Sequence, residues 1–196
     1  MPKGVIQSYP FYCDHLGALK RDEDDIANHF YIKETAGIGL ERYIKFYAFP
    51  EENASTMRTY LVRSCETDEL VGYFSLKAGL ISGNEQERDG HIEFDTLPGV
   101  ELANFAVNSA YIDAHPDYKG IGAIIFSEFV IPIIERISKD IGVRVVYIFA
   151  LPFEKLINRY EAYGFKRLDE KSEDSLHARL KPAYDESCIF MYQHLA

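Results

Sequence analysis

Residues 100–130 read VELANFAVNSAYIDAHPDYKGIGAIIFSEFV, and they combine a strand-like run, a glycine-containing loop and the start of a helix in that order. The first nine residues are apolar enough to predict a β-strand. After the loop, apolar residues recur at helical spacing from Ile125 to Ile137, which predicts a helix over residues 122–140. Pro132 lies inside this helix and is expected to kink it.

The C-terminal part continues the alternation of strands and helices. Residues 143–151 form the most β-like run of the chain, and their near-continuous apolar character predicts a central strand covered on both faces. A last helix is predicted over residues 153–163, because a glycine follows it. Two further strands are expected over residues 165–168 and 188–195, separated by a polar linker over residues 169–181.

The N-terminal part predicts helices followed by a hairpin. Acidic residues 22–25 are typical of a first helical turn, and the two glycines within residues 37–39 are expected to divide the helical stretch. Residues 59–65 and 70–79 predict two antiparallel strands, whereas the polar residues 82–90 predict an exposed loop. Together these elements predict an α/β fold with helices on a mixed sheet.

Composition narrows the class of protein. The chain has 196 residues, of which 47% are hydrophobic and 27% charged, and these values predict a single globular domain over residues 1–196. Three cysteines without paired spacing argue against disulfides and zinc, so we expect a cytoplasmic location and no metal. No membrane-spanning run is present, and a net charge of −10 makes nucleic acid an unlikely partner and mildly favours cationic substrates.

The loop over residues 115–123, HPDYKGIGA, predicts an anion site. Glycines let the backbone approach a ligand, and the N-terminus of the following helix favours a group such as a pyrophosphate. The alternative is that the two glycines only relieve a tight turn. The spacing matches neither a Walker loop nor a dinucleotide fingerprint, because position 125 is Ile125 and no lysine follows the second glycine.

Three motifs in order resemble the GCN5-related N-acetyltransferase family. LANFAVN (102–108) resembles its core strand, KGIGAIIFSEFV (119–130) its acetyl-CoA loop and helix, and RYEAYGF (159–165) its C-terminal tyrosine motif. The resemblance covers about residues 100–168 and implies a mixed, mostly antiparallel central sheet with helices on both faces. It also implies that residues 1–90 shape the acceptor site.

The family resemblance further implies acetyl-CoA as the cosubstrate. Its pantetheine arm would bind the backbone of Phe105, Ala106 and Val107. Its pyrophosphate would bind a loop made of Lys119, Gly120, Ile121, Gly122 and Ala123. Two positions depart from the family pattern: Asp117 stands at a Gln or Arg position, and Phe153 at one where Asn is frequent. In another register Lys119 takes the basic position and Gly122 becomes the first glycine, but the helix pattern then fits worse.

The same resemblance implies two catalytic residues. Tyr160 matches the tyrosine that protonates the departing CoA thiolate, a role that suits a phenol with a pKa of about 10. Glu101 stands where family members often carry an acid that takes the amine proton through water. The alternatives are that Tyr160 only packs on an amphipathic helix and that Glu101 is a solvated charge at a strand end.

These observations predict an N-acetyltransferase that moves an acetyl group to a primary amine of a small molecule or a protein. Two alternatives stay open: a toxin that acetylates aminoacyl-tRNA, which the FAVN strand also resembles, and a non-catalytic acyl-CoA-binding module. A strongly basic face would be needed for the toxin, and the acidic composition argues against it. A homodimer is compatible with the 14% aromatic content, because some of those residues could form a subunit interface.

Overall fold

The computed structural model of the protein describes residues 6–88, 91–179 and 187–195. Within them lie eight strands: β1 (Ile6–Ser8), β2 (Phe11–His15), β3 (Arg58–Ser64), β4 (Leu70–Arg88), β5 (His91–Val107), β6 (Val145–Ala150), β7 (Lys166–Arg167) and β8 (Ile189–His194). The α-helices there are α1 (Asp22–His29), α2 (Ile38–Phe46), α3 (Ala48–Asn53), α4 (Ser109–Ala114), α5 (Gly122–Ile125), α6 (Ile131–Asp140), α7 (Glu154–Ala162) and α8 (Glu170–Arg179). No helix of these residues is long and apolar enough to span a bilayer.

The strands follow the order β1-β2-β3-β4-β5-β6-β8-β7. β5 pairs with β6 in parallel, while β1 with β2, β2 with β3, β3 with β4, β6 with β8 and β7 with β8 are antiparallel. The predicted fold class, a mixed and mostly antiparallel sheet with helices, is therefore confirmed.

The chain divides into two compact units, and the first comprises Met1–Lys77 and Ala103–Ile133. Its core packs the apolar side of α1 and α2 against β3 and β4. The buried residues of this core are Leu16, Ile26, Phe30, Ile44, Ala48, Leu61, Leu70, Tyr73 and Ala106. The predicted acidic first turn is confirmed, because α1 begins with four acidic residues from Asp22 to Asp25.

The second unit comprises Ala78–Leu102 and Ile134–Ala196. Within it β6 lies between β5 and β8, and five of its six residues are buried. The predicted central strand is therefore confirmed. A cluster of Tyr147, Phe190 and the α8 residue Leu176 lies on one face of this strand.

Three segments differ from the sequence-based predictions. The polar residues 82–88 belong to β4 rather than to a loop, because pairing with a neighbouring strand uses the backbone and needs no apolar alternation. The predicted polar linker contains α8, whose first turn is capped by Asp169 through the Ser172 amide and hydroxyl. β1 and β2 were not predicted, since they are only three and five residues long.

The helix predicted over residues 122–140 is interrupted by a wider turn. Phe126–Val130 forms a π-helical turn between α5 and α6. Pro132 is the second residue after this turn and has no N–H to donate to the preceding turn. The helix is therefore irregular one turn before Pro132, and the kink expected at Pro132 itself stays a prediction.

A buried arginine organises the first unit. The fully buried Arg63 guanidinium donates from Nη2 to Asp22 Oδ1 at 2.7 Å and from Nη1 to Asp25 Oδ2 at 2.8 Å. Asp14 is also buried, and its Oδ1 has no hydrogen-bond partner among the described residues. Burial, followed by the negative charge of Asp22, raises the pKa of Asp14 to about 6, although Arg63 acts in the opposite direction.

This pKa predicts that Asp14 destabilises the protein near neutral pH. The folded state holds the Asp14 proton more tightly than the unfolded state, so stability falls as pH rises from about 4 through 6. Asp14→Asn should raise the free energy of unfolding by about 1–3 kcal/mol at pH 7.5 and by much less at pH 4. Urea unfolding at both pH values measures this, with the exposed Asp140→Asn as control. An equal gain at both pH values would contradict it.

Candidate functional site

The end of β5 carries three of the predicted cofactor-binding residues. Ala106 is buried, Phe105 and Val107 are half-buried, and the Phe105 ring lies 6.4 Å from that of Phe126. On the neighbouring strand, a Cβ at Gly72 would lie 2.7 Å from the Ala106 carbonyl oxygen. The absence of a side chain at Gly72 therefore permits the close approach of the two backbones.

Asn108, which sequence reasoning missed as a site-building residue, fixes the end of this strand. Its Nδ2 donates to the carbonyl oxygens of His29 at 2.8 Å and Leu70 at 2.7 Å. Its Oδ1 accepts from the amides of Tyr31 and Ala110, so it also caps α4. The available signal was an asparagine at the end of a strand and directly before a helix.

The predicted phosphate loop is connected to β5 through ordered structure. Residues 109–118 form α4 and a 3-10 turn over Pro116–Tyr118, with Asp117 exposed. Lys119 and Gly120 are exposed, and Gly120 has a φ of 96°, a conformation that favours glycine. Ile121 is buried and anchors the loop, and Gly122 begins α5, followed by the exposed Ala123.

The tyrosine motif RYEAYGF ends α7 in a Schellman motif. The Phe165 amide donates to the Tyr160 carbonyl at 3.0 Å, and the Gly164 amide donates to the Glu161 carbonyl at 2.9 Å. Gly164 has a φ of 94°, and the ring of Phe165 lies 5.6 Å from that of Tyr160 in an edge-to-face contact. This combination of bonds and apolar contact is the one that defines the motif, and it fixes the backbone and the ring of Tyr160 together.

The Tyr160 side chain suits a proton donor. The residue is only 8% exposed, and its ring also contacts that of Tyr163 at 6.1 Å. Among the described residues, its hydroxyl makes no hydrogen bond. Burial raises the pKa of Tyr160, so the phenol stays neutral and protonated across physiological pH.

Glu101 is buried rather than solvated. It is 9% exposed and lies opposite Tyr147 in the parallel β5–β6 pairing. The Tyr147 hydroxyl donates to Glu101 Oε2 at 3.4 Å. Burial, and then the charge of Glu101, raises the pKa of Tyr147, which keeps this phenol protonated as well. A carboxylate here is placed to accept a proton, and Tyr147 was not singled out from the sequence.

The predicted site residues are thus distributed between the two units. The eight predicted cofactor-binding residues, from Phe105 to Ala123, belong to the first unit. The two predicted catalytic residues, Glu101 and Tyr160, belong to the second. Within the first unit, the contact between Phe105 and Phe126 links the strand end to the helix that follows the glycine loop.

Comparison with known proteins identifies the fold. No family model matches the sequence. Among solved structures, a tyrosine-to-phenylalanine mutant of KacT aligns with a TM-score of 0.63 at 19% identity, over 92% of this chain and 94% of that one. AtaT complexed with acetyl-methionyl-tRNAfMet aligns with a TM-score of 0.62 at 16% identity, over 92% and 93%.

The chain has the GCN5-related N-acetyltransferase fold. A third acetyltransferase-fold structure, AtaTR bound with acetyl-CoA, aligns with a TM-score of 0.59 at 17% identity, over 93% of both chains. The fold expected from the three sequence motifs is therefore confirmed.

The Schellman motif at the end of α7 predicts that alanine substitution at two glycines of the second unit has unequal effects on stability. Gly164→Ala forces a side chain into a left-handed conformation and places a Cβ 2.8 Å from Gln193 Nε2, so it should destabilise the protein by about 1–2 kcal/mol. Gly142→Ala enters open space at ordinary φ and should change stability by less than about 1 kcal/mol. Urea unfolding compares the two, and equal effects would contradict the motif's importance.

Proposed function

We propose that this chain is an acetyl-CoA-dependent N-acetyltransferase that uses Tyr160 and Glu101 in catalysis. The observation that carries the proposal is Tyr160, a buried phenol fixed at the end of α7 whose hydroxyl has no protein partner among the described residues. A hydroxyl without such a partner is available to donate a hydrogen bond or a proton to a substrate atom. A non-catalytic acyl-CoA-binding module would have no use for it.

The proposed reaction transfers acetyl from sulfur to nitrogen. The amine nitrogen forms a bond to the thioester carbon, and the carbon–sulfur bond breaks as the tetrahedral intermediate collapses. The nitrogen loses a proton to Glu101, directly or through water, and Tyr160 donates its proton or a hydrogen bond to the departing thiolate. Because burial keeps Tyr160 protonated, it can fulfil this role at neutral pH.

For acetyl-CoA we propose the glycine loop and the end of β5. Gly120 and the start of α5 would receive the pyrophosphate, and Lys119 is exposed and cationic at the entrance of that loop. The backbone of Phe105, Ala106 and Val107 would receive the pantetheine arm. The similarity in fold to AtaTR bound with acetyl-CoA supports this cosubstrate. A cytoplasmic location fits it too, since Cys13, Cys65 and Cys188 form no disulfide among the described residues.

The acceptor in this proposal is a primary amine, and two classes of molecule are candidates. Small or cationic amines agree with the net charge of −10. Aminoacyl-tRNA is favoured by the similarity to AtaT complexed with acetyl-methionyl-tRNAfMet, and this similarity weakens the expectation from composition that nucleic acid is not a partner. In addition, the lining of a groove of about 600 Å³ in the second unit includes Lys139, Arg144 and His194 beside one acidic residue, Glu135.

Replacing the phenol tests the proposed acid. Tyr160→Phe keeps the ring and removes the proton, so kcat for acetyl transfer should fall by roughly 10²-fold while acetyl-CoA affinity stays unchanged. Tyr163→Phe, directly after the same helix, is the matched control and should retain activity. CoA release and calorimetric acetyl-CoA binding measure the two quantities. Binding without any CoA release by the wild-type protein would instead indicate the non-catalytic module.

Salt dependence separates the two acceptor classes. If aminoacyl-tRNA is the acceptor, its affinity should fall steeply with salt, and Arg144→Glu should weaken binding and reduce the slope of log K against log[salt] by about one. The rate of acetylation of a small amine should change little with salt concentration or with Arg144→Glu. Filter binding and acetyl transfer across a salt series measure both, and a flat tRNA response would exclude that acceptor.

A further inference from the structure

Two glycines make room for one tyrosine in the second unit. A Cβ on Gly79 of β4 would lie 1.8 Å from the Tyr147 hydroxyl oxygen, and a Cβ on Gly99 of β5 would lie 3.1 Å from its ring. The Tyr147 side chain therefore lies flat over β5 and reaches β4. Glycine inside a strand weakens the strand, so this arrangement has a cost in stability.

The ring accounts for part of this arrangement, because a Cβ on Gly79 would also lie 2.7 Å from Tyr147 Cζ and 2.9 Å from Cε1. Its packing partners are apolar: the rings of Phe190 at 5.6 Å and Phe149 at 6.2 Å, together with Leu176 of α8. A phenylalanine could make the same contacts. The hydroxyl makes the closest approach to Gly79, and it is the one atom of the side chain that can donate a hydrogen bond; it lies 3.4 Å from Glu101 Oε2.

Glu101 and Tyr147 also lie at the end of the pairing between β5 and β6. The parallel pairing of β5 with β6 comprises Gly99 with Val145, Val100 with Val146 and Glu101 with Tyr147, and it ends there. Beyond Tyr147, β6 continues to Ala150 and pairs only with β8 among the described residues. Glu101 and Tyr147 are therefore the last pair before β6 presents one unpaired edge.

We propose that Tyr147 is a positioning residue for Glu101, whose carboxylate it orients and stabilises in the ionised form that receives the proton of the acceptor amine. The inference rests on the acetyltransferase function proposed above. Tyr147 donates a hydrogen bond to the carboxylate throughout and keeps its own proton. The amine proton passes to Glu101 as the nitrogen–carbon bond forms, and the thiolate takes its proton from Tyr160.

Other titratable groups face the same side of the sheet. From α8, Glu173 accepts the Phe190 amide at 3.1 Å, and the His177 ring lies 6.1 Å from that of Phe149. From β8, Tyr192 is paired with Tyr147, and its ring contacts His194. A pH profile alone would mix their titrations with that of Glu101. A signal specific to the Glu101 carboxyl is therefore needed.

The test compares Tyr147→Phe with Tyr192→Phe, which removes a hydroxyl from the same face without touching the Glu101–Tyr147 hydrogen bond. Carbon NMR of carboxyl-labelled glutamate, assigned with Glu101→Gln, follows the Glu101 titration directly. In Tyr147→Phe the Glu101 pKa should rise by about one unit, because a hydrogen bond to the charged form is lost. Tyr192→Phe should leave it unchanged, and thermal melting verifies that both variants are folded.

Kinetics complete the test. For Tyr147→Phe we expect kcat to fall roughly tenfold, the acidic limb of kcat/KM to move to higher pH and the Kd of acetyl-CoA to stay unchanged. An unchanged Glu101 titration, or wild-type kinetics, would overturn the positioning role while leaving the transferase proposal intact. A wild-type protein that transfers no acetyl group would overturn both, and the NMR titration would then report only a structural hydrogen bond.

Discussion

Parallel pairing between β5 and β6 is the constraint on which the site depends. Two parallel strands cannot be joined by a tight turn, so the chain must cross over between Val107 and Val145. That crossover contains α4, the glycine loop, α5 and α6, so the glycine loop and the helix start that follows it lie in sequence between the two paired strands. The pairing itself lasts only three residue pairs, and its last pair joins an acid to a phenol. The topological requirement thus accounts for the long connection in which the glycine loop lies.

Two of the buried charged residues, Arg63 and Glu101, differ in a way that indicates their roles. Arg63 is surrounded by Asp22, Asp25 and a backbone carbonyl, so the charges largely satisfy each other inside the first unit. Such a network fixes the packing of α1 on the sheet and leaves little capacity for a substrate. Glu101 and Tyr147 meet at a longer distance, at the end of a strand pairing. A carboxylate at the last residue of that pairing fits the proton-accepting role proposed for it.

The sequence predicted those parts in which local signals and packing agree. Helical periodicity up to Ile137, the apolar run of β6 and the glycine after α7 each reflect a backbone requirement visible in nearby residues. The missed elements have other causes. Residues 82–88 are a strand through pairing rather than through apolar alternation, and α8 has a single buried leucine among polar residues. At the candidate site, Gly120 and Tyr160 belong to contiguous motifs. The role proposed for Tyr147 follows from its contacts with Gly79 and Glu101, which are far away in sequence.

Electrostatics explain why composition did not decide the acceptor. A net charge of −10 describes the average surface, but at physiological salt a charge acts over about 8 Å, so a bound molecule responds to nearby groups. Lys139, Arg144 and His194 line one groove together with a single acidic residue, Glu135, whatever the total charge is. Moreover, a small amine and an aminoacyl-tRNA present the same primary amine to the proposed base. The chemistry assigned to Glu101 and Tyr160 is therefore indifferent to which molecule carries the nitrogen, and acceptor choice must depend on surfaces away from those two side chains.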